Sequence, residues 1–281
     1  MNRQATIRPL HPQETRSIAQ WTKEEGWNIG LHDTQVYQNF SATSLIGAFV
    51  EQQLVGVSAV FLYNPRYAFF GLYRIKPDFR GQGYGLAMTR YRLQAARHRN
   101  VGLESSLENT HRYRHIRFRS DYRHQRYYFK GHEESLPDNI IDISEIPLAK
   151  VIQFERQIYG EDRDTFLRCW LTYPKFTTKI LVRDGHIRGY FVLRPTSDNE
   201  CRLGSFTADS LADAEHLLRA AQYFSKGKGL YIDMPENNPN AQTLVQTFNG
   251  QLLFESVRMY KGYALDINHH KVYGIASLEA G

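Results

Sequence analysis

Residues 78–87, DFRGQGYGLA, place three glycines at alternate positions just before a segment that is predicted to be helical. Gly81, Gly83 and Gly85 allow the backbone to turn sharply and to bring several N–H groups to one point at the start of that helix. A helix N-terminus adds about half a positive charge there. We therefore expect a phosphate or pyrophosphate to bind at this turn.

Two better-known phosphate motifs do not fit this stretch. A dinucleotide fingerprint requires G-x-G-x-x-G, but Leu86 stands where its third glycine belongs. A Walker loop requires Gly-Lys-Ser/Thr, which does not follow these glycines. The alternative that stays open is a tight turn from strand to helix that binds no ligand.

The segments around the glycines set the local order of elements. Ala68 to Lys76 is predicted to be extended, Leu86 to Arg99 lacks Gly and Pro and is predicted to be helical, and Val101 to Ser106 is predicted to be a short strand. The order is strand, glycine turn, helix, strand. Upstream, the patterns predict a strand at 5–8, helices at 11–25 and 33–39, and a hairpin of strands 44–50 and 54–63.

Length and composition indicate a globular protein of two domains. The chain has 281 residues, 42% hydrophobic and 23% charged. No apolar stretch approaches the ~18–20 residues needed to span a bilayer, and the N-terminal residues do not resemble a signal peptide. Cys169 and Cys201 are too few for a disulfide framework or a four-ligand metal site. We expect a cytoplasmic protein with no metal and no membrane partner.

The net charge of +6 is concentrated between His111 and Lys130, HRYRHIRFRSDYRHQRYYFK. Basic residues interleaved with aromatic ones are typical of nucleic-acid surfaces, through phosphate contacts and base stacking. Within this stretch, residues 116–119 and 126–129 have the period of two that a strand with one buried face requires. We favour the strand and expect no nucleic-acid partner.

The pattern Ile75-x-Pro77-x-Phe79-Arg80-Gly81-Gln82-Gly83-Tyr84-Gly85 resembles the acyl-CoA signature of the GNAT acetyltransferases. The resemblance implies that the loop holds the CoA pyrophosphate and that the end of the preceding strand binds the pantetheine and the acetyl carbonyl. It assigns acetyl-CoA as co-substrate. The cofactor-binding residues that it implies are Tyr73, Arg74, Ile75, Arg80, Gly81, Gln82, Gly83, Tyr84, Gly85 and Leu86.

The resemblance also suggests catalytic residues. Tyr113 lies five residues before Phe118, the spacing of a tyrosine that GNAT proteins carry after the next strand, although Arg117 stands where a glycine is usual. We expect Tyr113 to be the general acid that protonates the departing thiolate. Glu104 is the expected general base for the amine, with Glu25 as an alternative. The structural alternatives are a tyrosine that packs on the core and a strand carboxylate that faces solvent.

Residues 24–28, EEGWN, resemble a narrower subgroup of tandem GNAT proteins with this loop and a degenerate second domain. The resemblance implies that the loop borders the acceptor pocket, where acidic side chains would attract an ammonium group. The structural alternative is that Gly26 ends a helix and Trp27 packs on its last turn. The implied substrate-binding residues are Glu24, Glu25, Trp27, Asn28 and Asp33.

The second half repeats the first weakly, at an offset of 133 residues, where 54–57 corresponds to 187–190. Asp184-Gly185 predicts a hairpin turn, 211–224 and 240–248 are predicted helices, and 229–234 is a predicted strand. No alternating glycines occur there. We expect domains at 1–134 and 135–281, the second without a CoA site, with Asp233 facing the acceptor pocket or capping a turn, and His269-His270 exposed.

The predicted fold is α/β (α+β in some schemes), with two tandem GNAT-like domains, each a mixed, mostly antiparallel sheet flanked by helices, and a splayed parallel strand pair in the first. The predicted function is transfer of an acetyl group to a primary amine of a small molecule, an amino acid or polyamine-like, by direct attack in a ternary complex. A CoA-binding regulator without turnover and a basic nucleic-acid-binding protein are the alternatives. The sequence does not indicate the oligomeric state.

Overall fold

The computed structural model describes residues 4–281 and contains one large mixed sheet with helices on its faces. The strands are β1 Thr6–Pro9, β2 Leu45–Val50, β3 Gln53–Leu62, β4 Tyr67–Ile75, β5 Asn100–Ser106, β6 Arg119–Phe129, β7 Ile140–Asp142, β8 Thr177–Arg183, β9 His186–Pro195, β10 Cys201–Ala208, β11 Leu230–Pro235, β12 Gln251–Lys261 and β13 Val272–Gly274. The α-helices are α1 Arg16–Glu24, α2 Asp33–Phe40, α3 Tyr84–Ala95, α4 Thr110–His115, α5 Leu148–Tyr159, α6 Asp164–Leu171, α7 Leu211–Ser225 and α8 Pro239–Thr247.

The strand order is β1-β2-β3-β4-β5-β12-β6-β11-β10-β9-β8-β7, and β13 pairs with β10 outside this path. The pairs β4–β5 and β10–β11 are parallel, and the other pairs are antiparallel. The predicted mixed, mostly antiparallel sheet is confirmed.

The two halves of the chain exchange a strand. β12, from the second half, lies between β5 and β6 of the first half, and β6 pairs on its other edge with β11. One apolar cluster likewise draws Tyr37 and Phe61 from the first half and Phe166 and Trp170 from the second. The sheet is therefore continuous between the two halves of the chain. The domain boundary at residue 134 stays a prediction.

Each half also has a core of its own under the helix that follows its fourth strand. Met88 of α3 packs with Phe70 and Leu103 on one face of the first half, and Leu217 of α7 packs with Phe206 and Ile232 in the second. These buried side chains fix α3 and α7 against the sheet. The N-terminus of α3 is thereby held at the end of β4.

Most predicted elements are present, with shifted ends. The helix predicted at 11–25 begins at Arg16, and the one predicted at 86–99 runs from Tyr84 to Ala95. In the basic stretch, residues 110–115 form α4 and 119–129 form β6, in which Tyr122, His124 and Tyr127 are buried. No helix among residues 4–281 has the length and apolar character that crossing a membrane demands.

Candidate active site

The glycine loop, residues 80–86, exposes a row of main-chain donors. Gly81 and Gly83 have φ of 75° and 87°, the left-handed region, and Gly83 is the residue before the first turn of α3. Within residues 4–281, the N–H groups from Gly81 to Leu86 donate no hydrogen bond. A β-carbon at Gly81 or Gly83 would meet nothing within 4 Å, so the space before these amides is open. The loop therefore fits an anionic ligand such as a pyrophosphate.

Gly85 has a different reason to be glycine. A β-carbon there would collide with the hydroxyl of Tyr73, which lies on β4. The Tyr73 ring also carries the guanidinium of Arg92 4.5 Å from its centre, and burial raises the pKa of this phenol. The Tyr73 side chain thus packs between β4 and α3, which leaves its main chain as the part available to a ligand.

β4 and β5 separate beside the loop. Their pairing ends at Phe70 and Leu103, although β4 continues to Ile75 and β5 to Ser106. Main-chain groups of residues 71–75 on this edge therefore have no partner on β5. A gap between two parallel strands, lined by such groups, can accept an extended ligand through main-chain hydrogen bonds.

A β-bulge in β4 lies at the mouth of this gap. Leu72 has a φ of 49°, and the register with β3 shifts between Val57 and Ala59. Ser58, opposite the bulge, donates to the Gly71 carbonyl at 2.9 Å and lies 3.3 Å from a guanidinium nitrogen of the buried Arg92. Since a bulge leaves one residue out of the ladder, it frees a main-chain donor at this point.

Tyr113 lies on α4, close to the open end of the strand pair. Its half-buried ring packs edge-on against Phe118, with 6.0 Å between centroids. It is near enough to Tyr73 for the charges of the two phenols to interact. Both tyrosines pack against the same apolar cluster, and the role of Tyr113 as proton donor stays a prediction.

The Glu104 side chain is 5% exposed, and both of its oxygens accept hydrogen bonds. One accepts from Arg258, whose guanidinium is also buried, and the other accepts from the Ser256 hydroxyl at 2.8 Å. His124 Nδ1 lies 2.9 Å from Glu104 Oε1. Burial opposes ionisation, but His124 and Arg258 outweigh it and lower the pKa of Glu104 to about 2. Such a weak base favours a structural role over the predicted proton transfer.

The acidic residues of the loop 24–28 are paired with arginines. Glu24 and Glu25 accept from the buried Arg74 of β4 at 3.0 and 2.8 Å, and Glu25 also accepts from Arg80 of the glycine loop at 3.0 Å. The Arg74 guanidinium lies 5.1 Å from the Trp21 ring centre. These contacts connect the loop 24–28 to the glycine loop, and they use the two carboxylates that sequence reasoning assigned to the substrate.

Residues 27 and 28 of this loop are held by two arginines from distant strands. Arg126 donates to the Trp27 carbonyl at 2.8 Å, and Arg202 donates to the Asn28 carbonyl at 2.9 Å. Asp233 lies buried between these two guanidinium groups and accepts from both. Asp233 was predicted to face the acceptor pocket or to cap a turn. In the structure it forms ion pairs with Arg126 and Arg202, and these arginines hold the carbonyls of residues 27 and 28.

Asp33 is fully buried at the start of α2. It accepts from the Gly30 amide at 2.9 Å and from Arg194, a residue of β9. The structure pairs all three acids, Glu24, Glu25 and Asp33, with arginines, which the sequence pattern does not reveal. The substrate-binding roles of Glu24, Glu25, Trp27, Asn28 and Asp33 stay predictions.

The second half repeats the bulge and fills the gap. Ser205 in β10 has a φ of 47°, at the position offset by 133 residues from Leu72. The pairing of β10 with β11 covers only two residue pairs, and β13 then pairs with β10 at Phe206 and Thr207. The strand gap that is open in the first half is thus occupied by the chain itself in the second.

Segment 272–281 runs from that second gap toward β4. A β-carbon at Gly204 would collide with the carbonyl of Ala276, and one at Gly71 would collide with the carbonyl of Glu279. Sequence analysis did not find this segment. The available signal was the 133-residue offset, which aligns Gly71-Leu72 with Gly204-Ser205.

Two open cavities lie elsewhere. One of about 560 Å³ is lined by residues that include Asp142, Lys179 and Tyr223, and one of about 470 Å³ by residues that include Gln153 and Arg168. Neither touches the glycine loop or the strand gap. We give more weight to the row of free amides, because it points to a specific ligand chemistry.

Comparison with known proteins agrees with this geometry. The family described as "Acetyltransferase (GNAT) family" matches residues 13–118, and the one described as "Acetyltransferase (GNAT) domain" matches residues 151–274. The chain belongs to the GNAT acetyltransferase superfamily. It has two GNAT domains in tandem and is a GNAT acyltransferase, and the family implies an acyl-CoA co-substrate.

Relatives of this GNAT protein match it over nearly its whole length. The holothin acyltransferase of Pseudoalteromonas sp. (strain SANK 73390) is 26% identical over 278 residues, 98% of this chain and 94% of the relative. A solved structure from Pyrococcus horikoshii, assigned to the acetyltransferases, has a TM-score of 0.83 at 21% identity and covers 99% of this chain and 96% of its own. A tandem GNAT protein from the clavulanic acid biosynthesis pathway has a TM-score of 0.62 at 12% identity, with coverages of 93% and 98%.

Proposed function

We propose that this GNAT protein transfers an acetyl group from acetyl-CoA to a primary amine of a small molecule, an amino acid or polyamine-like. The observation that carries the proposal is the row of unpaired N–H groups from Gly81 to Leu86 at the N-terminus of α3, beside the gap between β4 and β5. The relative is named for holothin, not for a protein or nucleic acid, which supports a small acceptor.

Each part of the candidate site has a separate proposed role. The glycine loop and Arg80 would hold the pyrophosphate of CoA, and the main chain of residues 73–75 would hold the pantetheine. The thioester of acetyl-CoA supplies the activated acyl group. A main-chain donor at the Leu72 bulge would stabilise the oxyanion, an interaction worth ~3–4 kcal/mol when a single donor is lost. Tyr113 would give its proton to the departing sulfur.

The second domain, which we place at 135–281, would bind no acyl-CoA and would instead shape the acceptor pocket. Support comes from β13, which pairs with β10 where the first domain leaves its strands apart. Arg202 of this domain also donates to the Asn28 carbonyl of the first, and Asp233 pairs with the guanidinium of Arg202. Attack by the amine would be direct, in a ternary complex, because no nucleophilic side chain is required.

The test combines binding and turnover. Calorimetric titration with acetyl-CoA should give one site per chain, and thiol release from acetyl-CoA should increase when primary amines are added. Binding without any amine-dependent release would favour a CoA-binding regulator. Binding to random DNA at physiological salt, with a steep salt dependence and no binding of acetyl-CoA, would instead favour the nucleic-acid alternative.

A further inference from the structure

Glu279 is a buried acid without a partner. Its side chain belongs to a residue that is 5% exposed, and its Oε2 accepts no hydrogen bond. Across residues 4–281, no hydrogen bond or ion pair to this carboxylate is found, whereas Glu24, Glu25 and Asp33 each pair with an arginine. A buried carboxyl oxygen without a hydrogen-bond donor is costly, so Oε2 of Glu279 is a free acceptor for a donor on a ligand.

The position of Glu279 suggests which ligand. Its main chain lies against Gly71, the residue before the Leu72 bulge. Burial lowers the pKa values of Arg126 and Arg202, the latter to about 9, and the negative charge of Glu279 opposes this change at both. The carboxylate is therefore close to the arginines that hold residues 27–28, in the loop that we propose borders the acceptor pocket.

The segment around Glu279 is firmly held. Arg194 donates to the Ala276 carbonyl at 2.8 Å, Ser277 and Tyr37 share a hydrogen bond of 3.0 Å, and Arg163 donates to the Gly281 carbonyl at 2.6 Å. Tyr63 donates to the carbonyl of Ala280. These buried contacts fix the backbone on both sides of Glu279, so its carboxylate is pre-positioned and not part of a mobile tail.

We propose that Glu279 binds the ammonium group of the acceptor and accepts the proton that the amine must lose before it attacks. One N–H bond of the ammonium breaks, its proton moves to a carboxylate oxygen of Glu279, and the lone pair left on nitrogen forms the N–C bond at the thioester carbonyl. The C–S bond then breaks, Tyr113 protonates the departing sulfur, and the second proton that nitrogen loses restores the Tyr113 hydroxyl. The carboxyl group returns its proton to water after the product leaves. This inference rests on the proposed function, and it limits the acceptor to amines that arrive as cations.

The experiment uses n-butylammonium chloride and n-butanol, a cation and a neutral molecule of nearly the same shape. Saturation-transfer NMR titrations would compare the full-length wild type with Glu279→Gln and with Glu161→Gln. Glu161 is buried to a similar extent but accepts from Asn64 at 3.0 Å, so it controls for loss of a buried carboxylate. We expect Glu279→Gln to weaken n-butylammonium binding by about 30-fold and Glu161→Gln to leave it unchanged.

Two results would overturn the assignment. One is equal affinity of wild type and Glu279→Gln for n-butylammonium. The other is that the wild type binds n-butanol as tightly as n-butylammonium, or binds neither, and this readout holds even if the variant fails to fold. Titration of the same wild-type sample with acetyl-CoA reports on the proposed function separately, since acetyl-CoA binding does not involve Glu279.

Discussion

Leu72 and Ser205 occupy the same point of two matching strands, 133 residues apart, and both have a left-handed backbone, with φ of 49° and 47°. Such values are uncommon outside glycine, so the bulge is a repeated feature of the fold. Beside Leu72 the strands β4 and β5 stand apart, whereas beside Ser205 the strand β13 is inserted. One repeated architecture thus offers an open gap in one half and a filled gap in the other.

Replacement of Gly83 tests the glycine loop. Gly83→Ala should weaken acetyl-CoA binding at least tenfold, because a left-handed alanine costs about 1–2 kcal/mol and the loop would rearrange. Calorimetric titration measures the effect. Gly185→Ala is the matched control, since Gly185 has a φ of 73° and an open surrounding but lies in the β8–β9 turn. Equal affinity in both variants would argue against the loop as the CoA site.

Removal of the Tyr113 hydroxyl tests the general acid. Tyr113→Phe should lower kcat by about 100-fold, the scale of acid catalysis by one positioned group, with little change in the KM for acetyl-CoA. Steady-state kinetics with an active amine would measure both constants. Tyr263→Phe, at a tyrosine that is 56% exposed, should behave as wild type. An unchanged kcat in Tyr113→Phe would remove this residue from the mechanism.

The contact between Gly71 and Glu279 predicts a stability effect. Gly71→Ala should destabilise the fold by about 2–4 kcal/mol, because the new methyl group meets main chain that is anchored on both sides. Gly102→Ala is the control, since its β-carbon would meet only side chains, the Tyr67 hydroxyl at 2.6 Å and the Phe69 ring at 3.0 Å, and no main chain. Urea unfolding measures both. If Gly71→Ala is as stable as Gly102→Ala, segment 272–281 does not lie where described.

Replacement of Glu104 distinguishes a structural role of this residue from a role as the general base. Glu104→Gln should lower the free energy of unfolding by about 3–5 kcal/mol, because the buried Arg258 loses its counter-charge. The control is Glu255→Gln, whose carboxylate lies 3.6 Å from the exposed Arg123. A variant that unfolds at the wild-type urea concentration but has lost turnover would restore Glu104 as the candidate base.

Acid should destabilise this fold through buried histidines. Burial and nearby positive groups lower the pKa of His269 to about 4, and burial lowers the pKa of His124. The unfolded chain therefore binds these protons first, and the free energy of unfolding falls as pH drops below about 6.5, by up to ~1.4 kcal/mol per pH unit for each group. The effect of His269 is complete once pH passes below about 4.

Urea unfolding at several pH values would measure this slope. His269→Gln should reduce it, whereas His186→Gln, at an exposed histidine that contacts the Asp184 carbonyl, should not. An unchanged slope in His269→Gln would contradict the assignment. His269 was expected to be exposed, but it lies half-buried with its ring 4.5 Å from that of Tyr122, a contact between residues 147 positions apart.

Local sequence determined most elements and the glycine loop. Gly81 and Gly83 adopt left-handed φ values that favour glycine, and the run without Gly or Pro that follows them is helical, because backbone conformation and helix propensity depend on residues near in sequence. The same reasoning placed Glu24 and Glu25 at a helix end. These features required no knowledge of distant contacts.

Only the tertiary structure decided which charges are paired and which gap is open. Arg74 with Glu25, Arg194 with Asp33, and Arg258 with Glu104 are joined across tens to hundreds of residues, and no local pattern encodes such partners. The insertion of β12 and β13 into distant strand pairs likewise depends on how the two halves pack. Glu279 could not be singled out from the sequence for the same reason. Only the packing of its main chain against Gly71 shows that its side chain is buried with one oxygen that accepts no hydrogen bond.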